Sequence, residues 1–192
     1  MAVPIGLVHR YRRLFRFYDR NGDGRLTLAG DFSPAAEAIH QRWQGRRTPF
    51  PNLLELLLAT YRHEQQRRDR DGDGSVDIEE FVASHAGVIE AQARLPQQAL
   101  AFIDRAAGGF FDCLDLDSDG VLDVEDLEAY AAAYGHPTAG IAANLARMLA
   151  AFELPPGRLP RAIFLELVRQ YWFDPSPAVP GRWLFNLEPP SP

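Results

Sequence analysis

Three short stretches of this 192-residue chain set oxygen-bearing side chains at alternate positions around a glycine. Asp69, Asp71 and Asp73 precede Gly74, Asp77 follows, and Glu80 closes the series. Asp115, Asp117 and Asp119 precede Gly120, with Asp123 after it and Asp126 at the end. Asp19, Asn21 and Asp23 precede Gly24, and Asp31 comes last. Carboxylates crowded in this way repel one another unless a cation sits among them. A hard divalent ion such as Ca²⁺ takes about six to eight oxygens, and one loop supplies them from its positions 1, 3, 5, 7, 9 and 12. Position 6 must be glycine, because the chain bends there into a backbone conformation that other residues resist.

Residues 69–80 meet every requirement. Ser75 offers its backbone carbonyl at position 7, Asp77 stands at position 9, and Glu80 brings two oxygens at position 12. Residues 115–126 depart only at the end: Val121 gives its carbonyl, but Asp126 is one methylene shorter than glutamate. A shorter arm reaching with one oxygen favours six-coordination, so Mg²⁺ is expected to compete with Ca²⁺ there. Residues 19–31 begin well, with Arg25 at the carbonyl position, but Gly30 at position 12 has no side-chain oxygen and Asp31 arrives one residue late. Pro34, soon after, predicts an exit helix that starts late and lets Asp31 swing inward, with weaker binding than at residues 69–80. Two to three bound ions are therefore expected. A fourth stretch, residues 153–164, keeps Gly157 and Leu159 but has prolines and apolar groups where ligands would stand, and is predicted to hold no metal.

Helical patterns flank each stretch. Leu7, Tyr11, Leu14, Phe15 and Tyr18 share one face of a helix over residues 3–18. Ser33-Pro34 is a helix start, continued to Trp43 and broken by Gly45 and Pro49. Further helices are predicted over residues 52–68, 79–93, 97–114, 124–134, 139–152 and 162–172, with Gly108-Gly109 a weak point in the fifth. The chain thus reads as helix–loop–helix four times over, an all-α fold of two pairs: residues 1–95, then 96–173, followed by a proline-rich tail, 174–192, packing on the body. Position 8 is apolar in every loop (Leu26, Val76, Leu122 and Leu159), which predicts short β contacts between paired loops.

Composition excludes several alternatives. With 46% hydrophobic and 24% charged residues the chain has material for a core and is not a disordered polyelectrolyte. No apolar run nears the roughly 20 residues of a membrane span, and the N-terminus lacks the basic start and long apolar run of a signal peptide. A cytoplasmic, monomeric protein that meets neither membrane nor nucleic acid is expected. All 20 basic residues are arginine, the net charge is −6, and the acids cluster in the three loops, a layout for capturing cations rather than nucleic acid. Cys113 stands alone, so no internal disulfide forms, and its apolar neighbours predict a buried, inert thiol. His9, His40, His63, His85 and His136 are scattered without ligand or triad spacing, and no nucleophile motif is present, so no enzyme activity is expected.

The Asp-x-[Asp/Asn]-x-Asp-Gly runs at Asp19, Asp69 and Asp115 resemble EF-hand loops. Four hands in this length, ending in Tyr171-Trp172-Phe173-Asp174-Pro175 and Trp183-Leu184-Phe185, resemble the sarcoplasmic calcium-binding proteins and calerythrin. That resemblance implies a compact all-helical protein that buffers or transports Ca²⁺. Photoproteins and luciferin-binding proteins resemble it in architecture alone. Sensors of the EF-hand type expose a methionine-rich groove, whereas only Met148 remains here beyond the initiator, among 12 Phe, 6 Tyr and 3 Trp. A buffer whose tail folds back into the groove is the first expectation; a sensor acting on a partner protein is the alternative.

Overall fold

Leu7, Tyr11, Leu14 and Phe15 fall on one stripe, and α1 (Ile5–Tyr18) buries that stripe completely. The structure, a computed structural model, describes residues 2–186; the end of the predicted tail lies outside the described residues. A π-helical turn, Leu28–Phe32, runs directly into α2 (Ser33–Gln41), where Pro34 sits in the first turn and has no N–H to leave unsatisfied. Next come α3 (Leu53–Arg68), α4 (Ile78–Arg94), α5 (Pro96–Leu114), α6 (Val124–Ala133), α7 (Ile141–Ala150) and α8 (Arg161–Phe173). A 3₁₀ turn, Pro180–Trp183, interrupts a tail read from sequence as non-helical.

Position 8 behaves as predicted. Leu122 on β1 (Val121–Asp123) lies opposite Leu159 on β2 (Arg158–Pro160) in an antiparallel pair, and Leu26 and Val76 form the equivalent isolated bridge. All four side chains are at most 1% exposed. The ligand-poor fourth loop is kept in the fold by this pairing: Leu159 covers Leu122 and β2 completes the ladder.

The weak point expected at Gly108-Gly109 is absent, because α5 runs through both glycines unbroken. A Cβ at Gly108 would lie 2.5 Å from an Arg161 guanidinium nitrogen, so the glycine there admits a side chain from α8. Tertiary contact outweighs a propensity cost of about 1 kcal/mol.

Both ends of the chain meet on α8. The Arg10 guanidinium, itself buried, donates to the carbonyls of Gln170 (2.8 Å), Asp174 and Ser176. Tyr11 Oη donates to Trp172 O, Tyr171 Oη donates to Arg10 O, both at 2.6 Å, and Arg13 donates to Arg182 O. Gly181 lets the tail backbone pass against α8; a Cβ there would stand 2.5 Å from Leu167 O. Tail residues then enter an aromatic cluster, with Phe185 5.3 Å from both Phe17 and Tyr171, edge to face. Aromatic pairs of this geometry add about 0.5–1.5 kcal/mol each beyond their buried area.

Candidate metal centres

The three acidic loops share one scaffold of backbone hydrogen bonds. The N–H at position 6 donates to the position-1 carboxylate: Gly24 to Asp19 (3.0 Å), Gly74 to Asp69 (2.9 Å) and Gly120 to Asp115 (3.0 Å). Each of these glycines has a positive φ (80°, 86° and 81°), the left-handed bend that makes the turn. The position-5 N–H donates to position 3, and the position-7 N–H donates to position 5 at 2.8–2.9 Å. In each aspartate at position 5 one oxygen is thereby fixed by backbone, and the other accepts from a side chain: Asn21 at Asp23, Arg25 at Asp73 and Arg158 at Asp119. One oxygen from each of Asp69, Asp71 and Asp73 lies within 4.8 Å of the others, as it does for Asp115, Asp117 and Asp119.

At the exit, Asp77 and Asp123 cap α4 and α6 with capping boxes, whose other halves are Glu80 and Asp126. Glu80 spans its loop: Oε1 accepts from Arg70 N at position 2 (2.7 Å) and Oε2 from Asp77 N at position 9 (3.1 Å). Asp31 does the same in its own loop, accepting from Arg20 N (2.9 Å) and Thr27 N (2.8 Å). The π-helical turn produces this match. One extra residue in the first turn carries Asp31 inward, and the wider turn replaces the methylene that aspartate lacks. Asp31 is fully buried. Gly30 makes room for the turn, since a Cβ would come within 2.8 Å of Thr27 Oγ1 and 3.1 Å of Asn21 Nδ2.

Asp126 has the short arm without the extra residue. Its Oδ2 accepts from Asp123 N at position 9 (3.3 Å), but among the described residues it takes no N–H from position 2; Oδ1 accepts instead from Arg42, the residue just after α2 (3.2 Å).

Burial raises the carboxyl pKa of Asp31, Asp115 and Asp126, in each case against hydrogen bonds that pull it down. Asp115 Oδ1 is buried without a hydrogen-bond partner among the described residues. Desolvated carboxylates with an oxygen left unsatisfied are what a divalent cation relieves, and an all-oxygen donor set suits a hard ion. Asp73 differs: the Ser75 hydroxyl and the Arg25 guanidinium hold it down to about 2.

Two further arginines were not singled out from sequence for the contacts they make. Arg25, at position 7 of the first loop, donates to Asp73 Oδ2 in the second at 2.5 Å. Arg158, beside Leu159 in the fourth loop, donates to Asp119 Oδ2 in the third, also at 2.5 Å. Both reach across a loop pair to the position-5 oxygen that the position-7 N–H does not engage.

The cysteine and two of the histidines pack in the body of the protein. Cys113 is buried, and burial followed by the neighbouring Asp112 charge pushes its thiol up to about 12, which leaves it unreactive at neutral pH. His85 is buried in the core and His136 contacts Phe17 O through Nε2 (2.7 Å).

A family model for the EF hand matches residues 12–29, 67–83 and 109–129, which span the second and third acidic loops and the first as far as Ala29, short of Asp31. "Probable calcium-binding protein CML17" of Oryza sativa subsp. japonica is 31% identical over 140 residues, 72% of this chain and 77% of that protein. The chain belongs to the EF-hand superfamily of calcium-binding proteins. Its fold is that of the sarcoplasmic type: a sarcoplasmic calcium-binding protein from amphioxus superposes with TM-score 0.62 at 20% identity, covering 98% of this chain and 100% of that one. A Streptomyces coelicolor calcium-binding protein, described with "prokaryotic calcium-mediated regulation", superposes with TM-score 0.55 at 23% identity over 86% of this chain and 97% of that one.

Proposed function

We propose that this EF-hand protein is a cytoplasmic calcium buffer holding three ions. The first is assigned to Asp19, Asn21, Asp23, the Arg25 carbonyl and Asp31. The second takes Asp69, Asp71, Asp73, the Ser75 carbonyl, Asp77 and Glu80. The third takes Asp115, Asp117, Asp119, the Val121 carbonyl, Asp123 and Asp126, and is the loop where Mg²⁺ competes. Two pairs of hands, residues 1–95 and 96–173, act in one monomer, with the tail as a plug and no catalytic role.

One observation carries the buffer reading. The groove between the last two hands, where a sensor would receive a partner, is filled by the chain's own Trp183, Leu184 and Phe185, with Met148 buried beneath. The space that remains is an apolar cavity of about 80 Å³, far below the roughly 300 Å³ at which pockets for organic ligands begin. That difference weighs against an organic ligand held in this groove. A sensor remains the second reading, favoured by Leu95 and Phe102, which are 53% and 66% exposed at the junction of α4 and α5.

The test is a hydrophobic dye titrated onto the protein with Ca²⁺ and with chelator. A buffer gives little change in emission between the two. A large calcium-dependent rise means that the tail leaves its groove, and the sensor reading replaces the buffer. Calorimetric titration with and without excess Mg²⁺ counts the ions.

A further inference from the structure

The three position-12 carboxylates do not end alike, and the difference reaches into the other half of the molecule. Glu80 and Asp31 each spend one oxygen on the N–H at position 2 and the other on the N–H at position 9. Among the described residues Asp126 reaches the N–H of position 9 and not that of position 2, and its second oxygen is held by the Arg42 guanidinium at 3.2 Å. The pair is substantially shielded, with side chains 20% and 12% exposed, so its charges are screened less than those of a surface pair.

Arg42 is placed there by more than its own reach. α2 packs on α6, the exit helix of the third loop. The next residue, Trp43, is buried and donates its indole N–H to Cys113 O at 3.1 Å, at the end of α5. Arg46 donates to Leu116 O, the position-2 carbonyl, at 3.4 Å. Residues 42–46, from the exit of the first hand, thus grip the third loop at its entry, its second position and its last ligand.

Resting on the reading that residues 115–126 bind Ca²⁺, the geometry points to Arg42 as a tethered cation that competes with the ion for Asp126 and sets the affinity of the third site from the first hand. A guanidinium beside a ligand oxygen opposes an incoming divalent ion by charge repulsion, and the ion must draw Asp126 away from it. The third site is then weaker than its ligand set alone predicts, and its filling is coupled to the end of α2.

The test compares calcium binding, by calorimetry, of the wild type with Asp115→Ala, Arg42→Gln, Asp126→Glu and the Arg42→Gln/Asp126→Glu double variant. Arg47→Gln, a nearby exposed arginine, controls for net charge. Asp115→Ala loses one ion; if it loses none, the third loop is not a site and both readings fall. Given that loss, Arg42→Gln is expected to bind the third ion about tenfold tighter, and Arg47→Gln to change it less than about twofold. Asp126→Glu restores the missing methylene, frees the carboxylate from Arg42, and also tightens the site. In the double variant the two gains are not additive, because they remove the same contact. An unchanged or weaker third site in Arg42→Gln, or fully additive gains, overturns the inference while leaving the calcium site intact. Should Arg42→Gln fail to fold by circular dichroism, Asp126→Glu alone decides: no tightening overturns it.

Discussion

Leu26 and Val76 exchange both of their backbone hydrogen bonds, Leu26 N to Val76 O at 2.9 Å and Val76 N to Leu26 O at 3.0 Å. Each follows directly on a position-7 carbonyl that the proposed cage requires, so a shift of one loop is passed to the other. Glu80→Ala is expected to abolish the second site and to weaken the first by about threefold to tenfold, the lower part of the range for directly coupled neighbours. Calorimetry reads both. A first site unchanged in this variant would mean that the bridge transmits nothing.

The π-helical turn makes a sharper prediction. Deleting Gly30 gives an ordinary twelve-residue loop whose final aspartate is as short of reach as Asp126, and the first site should weaken about tenfold. Combining the deletion with Asp31→Glu should return the affinity, since the longer arm then does what the extra residue did. If the deletion alone binds as tightly as the wild type, the turn does not compensate for the short side chain.

His85 lies between Tyr11 and Trp172, stacked at 4.2 and 4.8 Å. Its Nδ1 meets Phe81 O at 2.6 Å, and Nε2 is buried without a partner among the described residues. Burial, then the Arg68 charge, lowers its pKa to about 3. An unfolded histidine titrates near 6.5, so between these values the unfolded chain holds one more proton than the folded one. The stability this neutral ring contributes is complete above pH 6.5 and is lost as pH falls through that window, by about 1.4 kcal/mol per unit. Urea unfolding at pH 7 and 5.5, with chelator present, should show His85→Phe losing about 1.3 kcal/mol less than the wild type. Parallel losses would mean that His85 is protonated in the folded core.

Gly181 gives a handle on the plug. A Cβ there meets the Leu167 carbonyl at 2.5 Å and Tyr171 N at 3.1 Å, both backbone atoms that cannot swing aside. Gly181→Ala should destabilise the protein by about 1–3 kcal/mol and raise dye binding even with chelator. Unaltered melting and dye signal would show that the tail seats without close contact.

The parts of this protein that were legible in its sequence are those whose information is local. Spacing around Gly74 and Gly120 brings the oxygens of Asp69, Asp71 and Asp73, and of Asp115, Asp117 and Asp119, together within one turn each, and the apolar position 8 announces Val76 and Leu122 together with their partners Leu26 and Leu159. Asp31 was legible only in part: its late arrival was visible, but whether a helix would absorb the extra residue as a wider turn depends on Thr27, Gly30 and Asn21 fitting together in space. α5 runs unbroken through both glycines, and Gly108 lies against Arg161, a contact between distant parts of the chain that local spacing does not show. Arg42, Arg25 and Arg158 carry no signal of their own in a chain whose every base is arginine; only folding reveals that each ends on a proposed ligand of another loop.

Arg158 changes what a loop stripped of its ligands amounts to. Its guanidinium brings a fixed positive charge to Asp119 from a segment that has no ion of its own to hold. Dissolved sodium or potassium would otherwise crowd around those acids and be expelled when calcium arrives. A built-in counterion takes up part of that role, so calcium uptake by the second pair of hands should depend less steeply on ionic strength than five bare aspartates would.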